Sequence, residues 1–202
     1  MTLKRDELKE FQYITPIGNI PSIIKNGILS HKNAAKVDHA SCAKREIQDR
    51  RAKVIVPGGK PLHWYVNLYF DARNPMMHLL KDNHENLSVL AISVDVIDIP
   101  GTVIVDCNAS REYALFKPAP AGLTMIDRDL VYAEFWTHDD SVEQYNHKGA
   151  KCAEVLVPER VESHFVMKAY VSCDKSKIAL LSILDEYELK LKTIVDGHLF
   201  FW

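Results

Sequence analysis

The feature that most constrains this chain is a series of short, irregularly spaced β-prone runs. Phe11 to Thr15, WYVNLYF (Trp64 to Phe70), LSVLAISV (Leu87 to Val94), TVIVDC (Thr102 to Cys107), CAEVLVP (Cys152 to Pro158) and FVMKAYVS (Phe165 to Ser172) are rich in aromatic and β-branched residues. HLFFW at the end reads as a terminal strand packed on the sheet. Helical patterns are fewer. IPSIIKNGIL follows Asn19 as its N-cap, carries Pro21 in its first turn and stops at Gly27. Ser41 to Arg51 reads as a polar helix ending before the Pro57-Gly58-Gly59 turn, and Asp129 to Trp136 as a short one. Lys175 to Leu191 places Ile178, Leu181, Ile183 and Leu184 at helical spacing, whereas Ala109 to Asp127 reads as irregular. With no regular βαβ alternation, the pattern predicts an α+β fold with peripheral helices rather than a doubly wound sheet.

At 202 residues and 23.0 kDa the chain fits one domain, residues 1–202, with a sizeable core. The net charge of -2 excludes a uniformly basic nucleic-acid binder, so any such contact must come from a local patch. Four scattered cysteines, Cys42, Cys107, Cys152 and Cys173, suggest neither a disulfide framework nor metal-ligand spacing, and reduced thiols in a cytoplasmic protein are expected. The charged N-terminus lacks the apolar core of a signal peptide, and no apolar run is long enough to span a membrane. Phosphate-loop, dinucleotide-fingerprint, HExxH and GxSxG motifs are absent, and the histidines lack structural-zinc spacing, so no metal is expected.

Two local features point to chemistry. From Lys44 to Lys60, KREIQDRRAKVIVPGGK sets six basic side chains against two acidic ones, a local charge of +4 in a net acidic chain. Clustered arginines can hold phosphate and a glycine-rich turn admits a ligand close to backbone. The competing reading is a solvated helix face with ion pairs such as Glu46 to Arg50, and charge alone favours it. The second feature is Glu154, a carboxylate in an otherwise apolar strand. It either points to solvent or faces a cleft, where it can hold a ribose hydroxyl, steady a cationic transition state or act as a base.

The stretches YITPIGNIPSIIKNGIL, IQDRRAKV, GGKPLHWYVNLYFDARNPMM, VIVD and KCAEVLV, in this order, resemble the DarT family of nucleic-acid ADP-ribosyltransferase toxins. The resemblance spans about Tyr13 to Leu156, and the GG…LHWYVNLYF…NPMM stretch is its most specific part. It implies an ADP-ribosyltransferase-like split β-sheet core with NAD⁺ in the central cleft and no metal. Glu154 falls on the family's catalytic glutamate and Arg51, beside Arg50, on its essential arginine. Tyr13, Thr15, Arg51, Tyr69 and Met77 fall at NAD⁺-contacting positions. Typical members carry a histidine in a YHITH-like run where this chain has Tyr13 in QYITP, a departure that bears on the NAD⁺ contacts and on which base is modified.

The chemistry so implied is substitution at the nicotinamide ribose. The glycosidic bond loosens, Glu154 steadies the oxocarbenium-like centre, and Arg51 holds phosphate or assists proton removal from the attacking base. The implied acceptor is a base of single-stranded DNA, since a base must be unstacked to attack. Lys44, Arg45, Arg50 and Lys53 would track its backbone, with Phe135 and Trp136 as stacking surfaces; Trp64 is expected in the core. The alternatives are the same chemistry on RNA, or a catalytically dead module that binds NAD⁺ or nucleic acid; retention of both Arg51 and Glu154 argues against the latter. The resemblance further implies a toxin of phage defence paired with an antitoxin, of macrodomain hydrolase type.

Overall fold

The structure, a computed structural model, describes residues 1–41 and 45–202, Arg45 by its backbone only. In chain order its strands are β1 (Phe11–Pro16), β2 (Ile28–Leu29), β3 (Tyr65–Tyr69), β4 (Leu87–Ile92), β5 (Val103–Val105), β6 (Phe116–Pro118), β7 (Glu154–Pro158), β8 (Arg160–Val161), β9 (Val166–Val171) and β10 (Thr193–Val195). The helices are α1 (Ile20–Asn26), α2 (His31–Ala34), α3 (Arg45–Arg51), α4 (Pro75–Leu79), α5 (Arg128–Val131), α6 (Ser141–Ala150) and α7 (Asp174–Glu186). Eight strands form one sheet in the order β10-β9-β4-β1-β3-β7-β5-β6, while β2 and β8 pair separately. Most pairings are antiparallel; β9 and β10 run parallel.

The junction between β1 and β3 creates the site. β1 pairs with β4 along its whole length, from Phe11↔Ile92 to Pro16↔Leu87. β3 likewise pairs with β7 from Tyr65↔Pro158 to Tyr69↔Glu154. The two strands meet each other in register only at Gln12↔Tyr69 and then splay. The sheet is thus split into halves joined at one end, as expected for this fold. The Gln12 side chain, which is buried, reinforces the joint by accepting from the Ala72 N–H at 2.6 Å.

The period-two alternation of each strand decides which face a side chain buries. Val66 and Leu68 of β3, Val155 and Val157 of β7 and Phe11 of β1 enter the main core, which Ile20 and Ile23 of α1 and Leu180 and Leu184 of α7 cover. On the other face, Ile14, Tyr69, Leu87 and Val89 pack with Met77 of α4, Leu199 and Phe200. β4 is covered on both faces, so its run LSVLAI is buried throughout. Gly27 ends α1 at φ 78, where a Cβ would lie 2.4 Å from the Val161 carbonyl oxygen.

Several sequence expectations need correction. HLFFW is not a strand: Gly197–Leu199 is a 3₁₀ turn and Phe200 plugs a core, while the edge strand is the preceding Thr193–Val195. α7 ends at Glu186 because Glu188 adopts φ 54 and the Leu189 N–H returns to the Leu184 carbonyl. It buries Leu180 and Leu184, whereas Ile178 and Leu181 are exposed. Asn19 holds the N-cap position of α1 as expected, but its side chain makes no cap hydrogen bond; its amide donates to Thr15 Oγ1 (3.3 Å) and the Ala40 carbonyl (2.8 Å), and its Oδ1 accepts from the Ala40 N–H (2.9 Å). It ties the segment after α2 to the end of β1. α6 and β6 were not expected: α6 is polar on all sides, and β6 is three residues long and ends in proline. No helix among the described residues is long and apolar enough to cross a membrane.

Candidate active site

Where β1 and β3 splay, a cavity of about 430 Å³ opens. Tyr13, Ile14, Thr15 and Pro16 of β1 and Tyr65, Val66, Asn67 and Tyr69 of β3 form its walls. Its flanks come from His31 and Ala34 of α2, Gln48, Arg50 and Arg51 of α3, Met76 and Leu79 of α4, and Asn108, Ser110 and Arg111 with Tyr145 and Lys148 of α6.

Glu154 opens β7 and sits across from Tyr69 on β3 and Val105 on β5. It lies on the face opposite Val155 and Val157, which settles the open question of its direction: it faces inward, with 0% exposure. An ionised carboxylate cannot be buried without partners. Here Arg51 supplies two in a fork, with Nη1 2.9 Å from Oε1 and Nη2 2.9 Å from Oε2. The Ala109 N–H adds a third at 3.3 Å. Arg51 itself is 6% exposed and lines the cavity, so the guanidinium lies between the open space and the carboxylate. Burial acts against its charge, but the Glu154 carboxylate outweighs burial and holds the guanidinium above its ordinary range. The other titrating groups nearby behave differently. Burial pushes the Cys152 and Cys107 thiols up to about 12, and burial followed by neighbouring positive groups holds the His31 and His63 rings below the usual histidine range.

The expected site residues are only partly brought together. Arg51, Tyr13, Thr15, Tyr69 and Arg50 all line the cavity. Met77 does not: it is fully buried against α4's own core, and its neighbour Met76 reaches the cavity instead. Asn74 caps α4 by accepting from the N–H groups of Met76 (2.9 Å) and Met77 (3.1 Å), which sets the helix turn that points one methionine each way. Lys53 is exposed and outside the cavity wall. Lys44 and the Arg45 side chain lie outside the described residues. Phe135 is exposed, and Trp136 is half-buried edge-on to His78 and Phe201; neither lines the cavity. Trp64 is half-buried and packs, as expected, against the core cluster of Val56, Leu62 and Leu156, with Lys32 Nζ 3.2 Å from its ring centre. Arg50 Nε approaches the Glu46 backbone carbonyl at 3.5 Å.

Sequence reasoning missed the opposite rim. The Arg111 guanidinium lies 4.1 Å from the Tyr145 ring centre, and a Cβ at Gly149 would come within 2.3 Å of Arg111 Nη1. Gly149 therefore gives Arg111 the room to lie along α6. Buried Lys151 pairs with Asp71 and donates to the Val131 carbonyl (2.8 Å), which anchors the end of α6 to the end of β3. Nothing in the pattern of SVEQYNHKGA marks this helix, though Gly149 is a signal once its neighbour is known. Among the described residues no group of three or more His, Cys, Asp or Glu side chains could hold a metal ion.

The family model described as DarT, ssDNA thymidine ADP-ribosyltransferase, matches residues 12–201. The chain belongs to the DarT family. The match takes in both halves of the split sheet and the Arg51–Glu154 pair. A DNA ADP-ribosyl transferase of Thermus sp. (strain 2.9) is 26% identical over 186 residues, covering 87% of each protein. A DNA ADP-ribosyl transferase–DNA ADP-ribosyl glycohydrolase fusion protein of Thermosipho africanus (strain H17ap60334) is 28% identical over 173 residues, 81% of this chain. The match covers only 42% of that fusion protein's length. Among solved structures, Thermus sp. 2.9 DarT in complex with ADP-ribosylated ssDNA superposes with a TM-score of 0.85 at 23% identity, over 100% of both chains. That likeness shows that the fold is shared over the whole length of both chains.

Proposed function

We propose that residues 1–202 act as one domain that transfers ADP-ribose from NAD⁺ to a thymidine base of single-stranded DNA, releasing nicotinamide. The observation that carries the reading is the buried Arg51–Glu154 fork at the floor of the split-sheet cavity. Membership of the family supports the choice of donor and acceptor. The cavity also suits NAD⁺, with cationic side chains for phosphate and aromatic and apolar walls for rings.

In this reading Glu154 holds a hydroxyl of the nicotinamide ribose and steadies the positive charge at its anomeric carbon as the bond to nicotinamide breaks. Glu154 is sealed by Arg51, so at least one carboxylate oxygen must be released before it meets the ribose. The displaced guanidinium is then free to hold phosphate or to help the attacking base nitrogen lose its proton. Tyr13, Thr15 and Tyr69 flank the donor, Tyr13 by stacking or by its hydroxyl. Arg50 on one rim and Arg111 and Lys148 on the other meet the phosphates of the acceptor, with Lys44, Arg45, Lys53, Phe135 and Trp136 serving farther along the strand.

The reading extends to a toxin role in phage defence, and the fusion architecture of the Thermosipho relative supports a partnered ADP-ribosyl hydrolase. The test is incubation of purified protein with labelled NAD⁺ and separate single-stranded DNA, RNA and protein pools. Label in DNA alone is expected. Label in RNA moves the assignment to the RNA alternative, and none in any pool leaves a binding module.

A further inference from the structure

Two buried polar atoms on the cavity wall have no hydrogen-bond partner among the described residues: His63 Nε2 and Gln48 Oε1. The two residues are neighbours across the fold. The His63 ring faces the Gln48 backbone carbonyl, which favours a ring proton on that side and accepts the Ala52 N–H at 2.9 Å. A neutral ring with its proton toward that carbonyl presents a lone pair at Nε2. Burial holds the ring below the usual histidine range, so at neutral pH this remains the neutral, accepting form. Leaving a buried polar group without a hydrogen bond is costly, and such groups in native folds call for an explanation. Two on adjacent residues in one cavity share a simple one: both await hydrogen-bond donors.

We propose that His63 and Gln48 form an acceptor pair for ribose hydroxyls of NAD⁺, His63 through Nε2 and Gln48 through Oε1. A phosphate cannot fill this role, because it offers only acceptors. A hydroxyl suits the surroundings better than an amide N–H₂, because it can donate to His63 while accepting from the cationic side. Arg51 and His31 both act electrostatically on His63. His31 is exposed and its ring lies tilted against His63 with ring centres 4.2 Å apart, so in this proposal it is the side chain that gives way to the hydroxyl. His63 is here a positioning residue: it fixes the sugar and leaves the bond-breaking to others. The inference rests on the NAD⁺ reading of the cavity.

The test is calorimetric titration of wild type, His63→Phe and Gln48→Met with ADP-ribose. The phenylalanine keeps a ring against His31 while removing the lone pair; circular dichroism checks that each variant folds. Each variant is expected to lose roughly two- to tenfold in affinity. Adenosine monophosphate and nicotinamide mononucleotide, titrated separately, tell which ribose is held: the weakened one identifies it. Deleting a hydroxyl from that ribose should weaken binding to wild type and leave His63→Phe unaffected. If wild type binds no ADP-ribose, the NAD⁺ reading itself fails. If wild type binds and both variants bind equally well, or if the variants raise only the KM for oligonucleotide, the acceptor pair is overturned.

Discussion

Removing Arg51 alone and removing it together with Glu154 should have opposite effects on stability. In Arg51→Ala the carboxylate stays at 0% exposure with only the Ala109 N–H, at 3.3 Å, left to it. Breaking one side of a buried ion pair costs about 3–5 kcal/mol. At roughly 2–4 °C per kcal/mol for a chain of this size, Tm should fall by about 6–20 °C. Replacing both partners by apolar residues of similar volume, Arg51→Met with Glu154→Leu, removes the buried charges together. Such exchanges are neutral or stabilising by about 1–4 kcal/mol, so the double variant should match or exceed wild type while being inactive. Differential scanning calorimetry and urea titration measure the difference. If the single and double variants unfold together, Glu154 is not confined as the geometry describes. If the double variant falls below the single, the pair is kept for stability rather than for chemistry.

Other perturbations probe the surrounding site. Tyr13→Phe should keep more transfer activity than Tyr13→Ala in a steady-state assay if the ring stacks on the donor; equal losses would assign the role to the hydroxyl. Gly149→Ala should drive Arg111 off α6, since the new Cβ would lie 2.3 Å from Nη1. The expected result is weaker oligonucleotide binding with a salt slope reduced by about one contact, with acceptor-free NAD⁺ hydrolysis unchanged. Iodoacetamide at neutral pH should label Cys173, whose thiol hydrogen bonds with Ser176 lower, well before Cys107 and Cys152, held protonated at about 12; peptide mass spectrometry reads the order.

Elements with strong side-chain bias were legible in sequence, and elements fixed by tertiary contacts were not. FQYIT, WYVNLYF and LSVLAISV gave β1, β3 and β4 to within two residues because aromatic and β-branched residues crowd both faces of those strands. HLFFW misled for the same reason: Leu199 and Phe200 plug a core from a turn, with no ladder to join. α6 carries no apolar stripe and stands on its Asp140 cap, the His147 contact to the Leu130 carbonyl and the Lys151 anchor. At the site, Glu154 was recognisable as a carboxylate in an apolar strand, but its direction was not. That depends on a guanidinium 103 residues away. That Met77 is buried while Met76 lines the cavity was not legible either, because a single helical step about the Asn74 cap separates the cavity from the core.

The most direct test of the account is nucleoside mass spectrometry on oligonucleotides treated with NAD⁺ and either wild type or Glu154→Ala. Wild type should add one ADP-ribose to thymidine in single-stranded DNA, and the variant should fall short by a factor of about 10² or more. Equal modification by both proteins, or none by a folded wild type that binds NAD⁺, would contradict the assignment of Glu154 as the catalytic carboxylate of a DNA-modifying transferase.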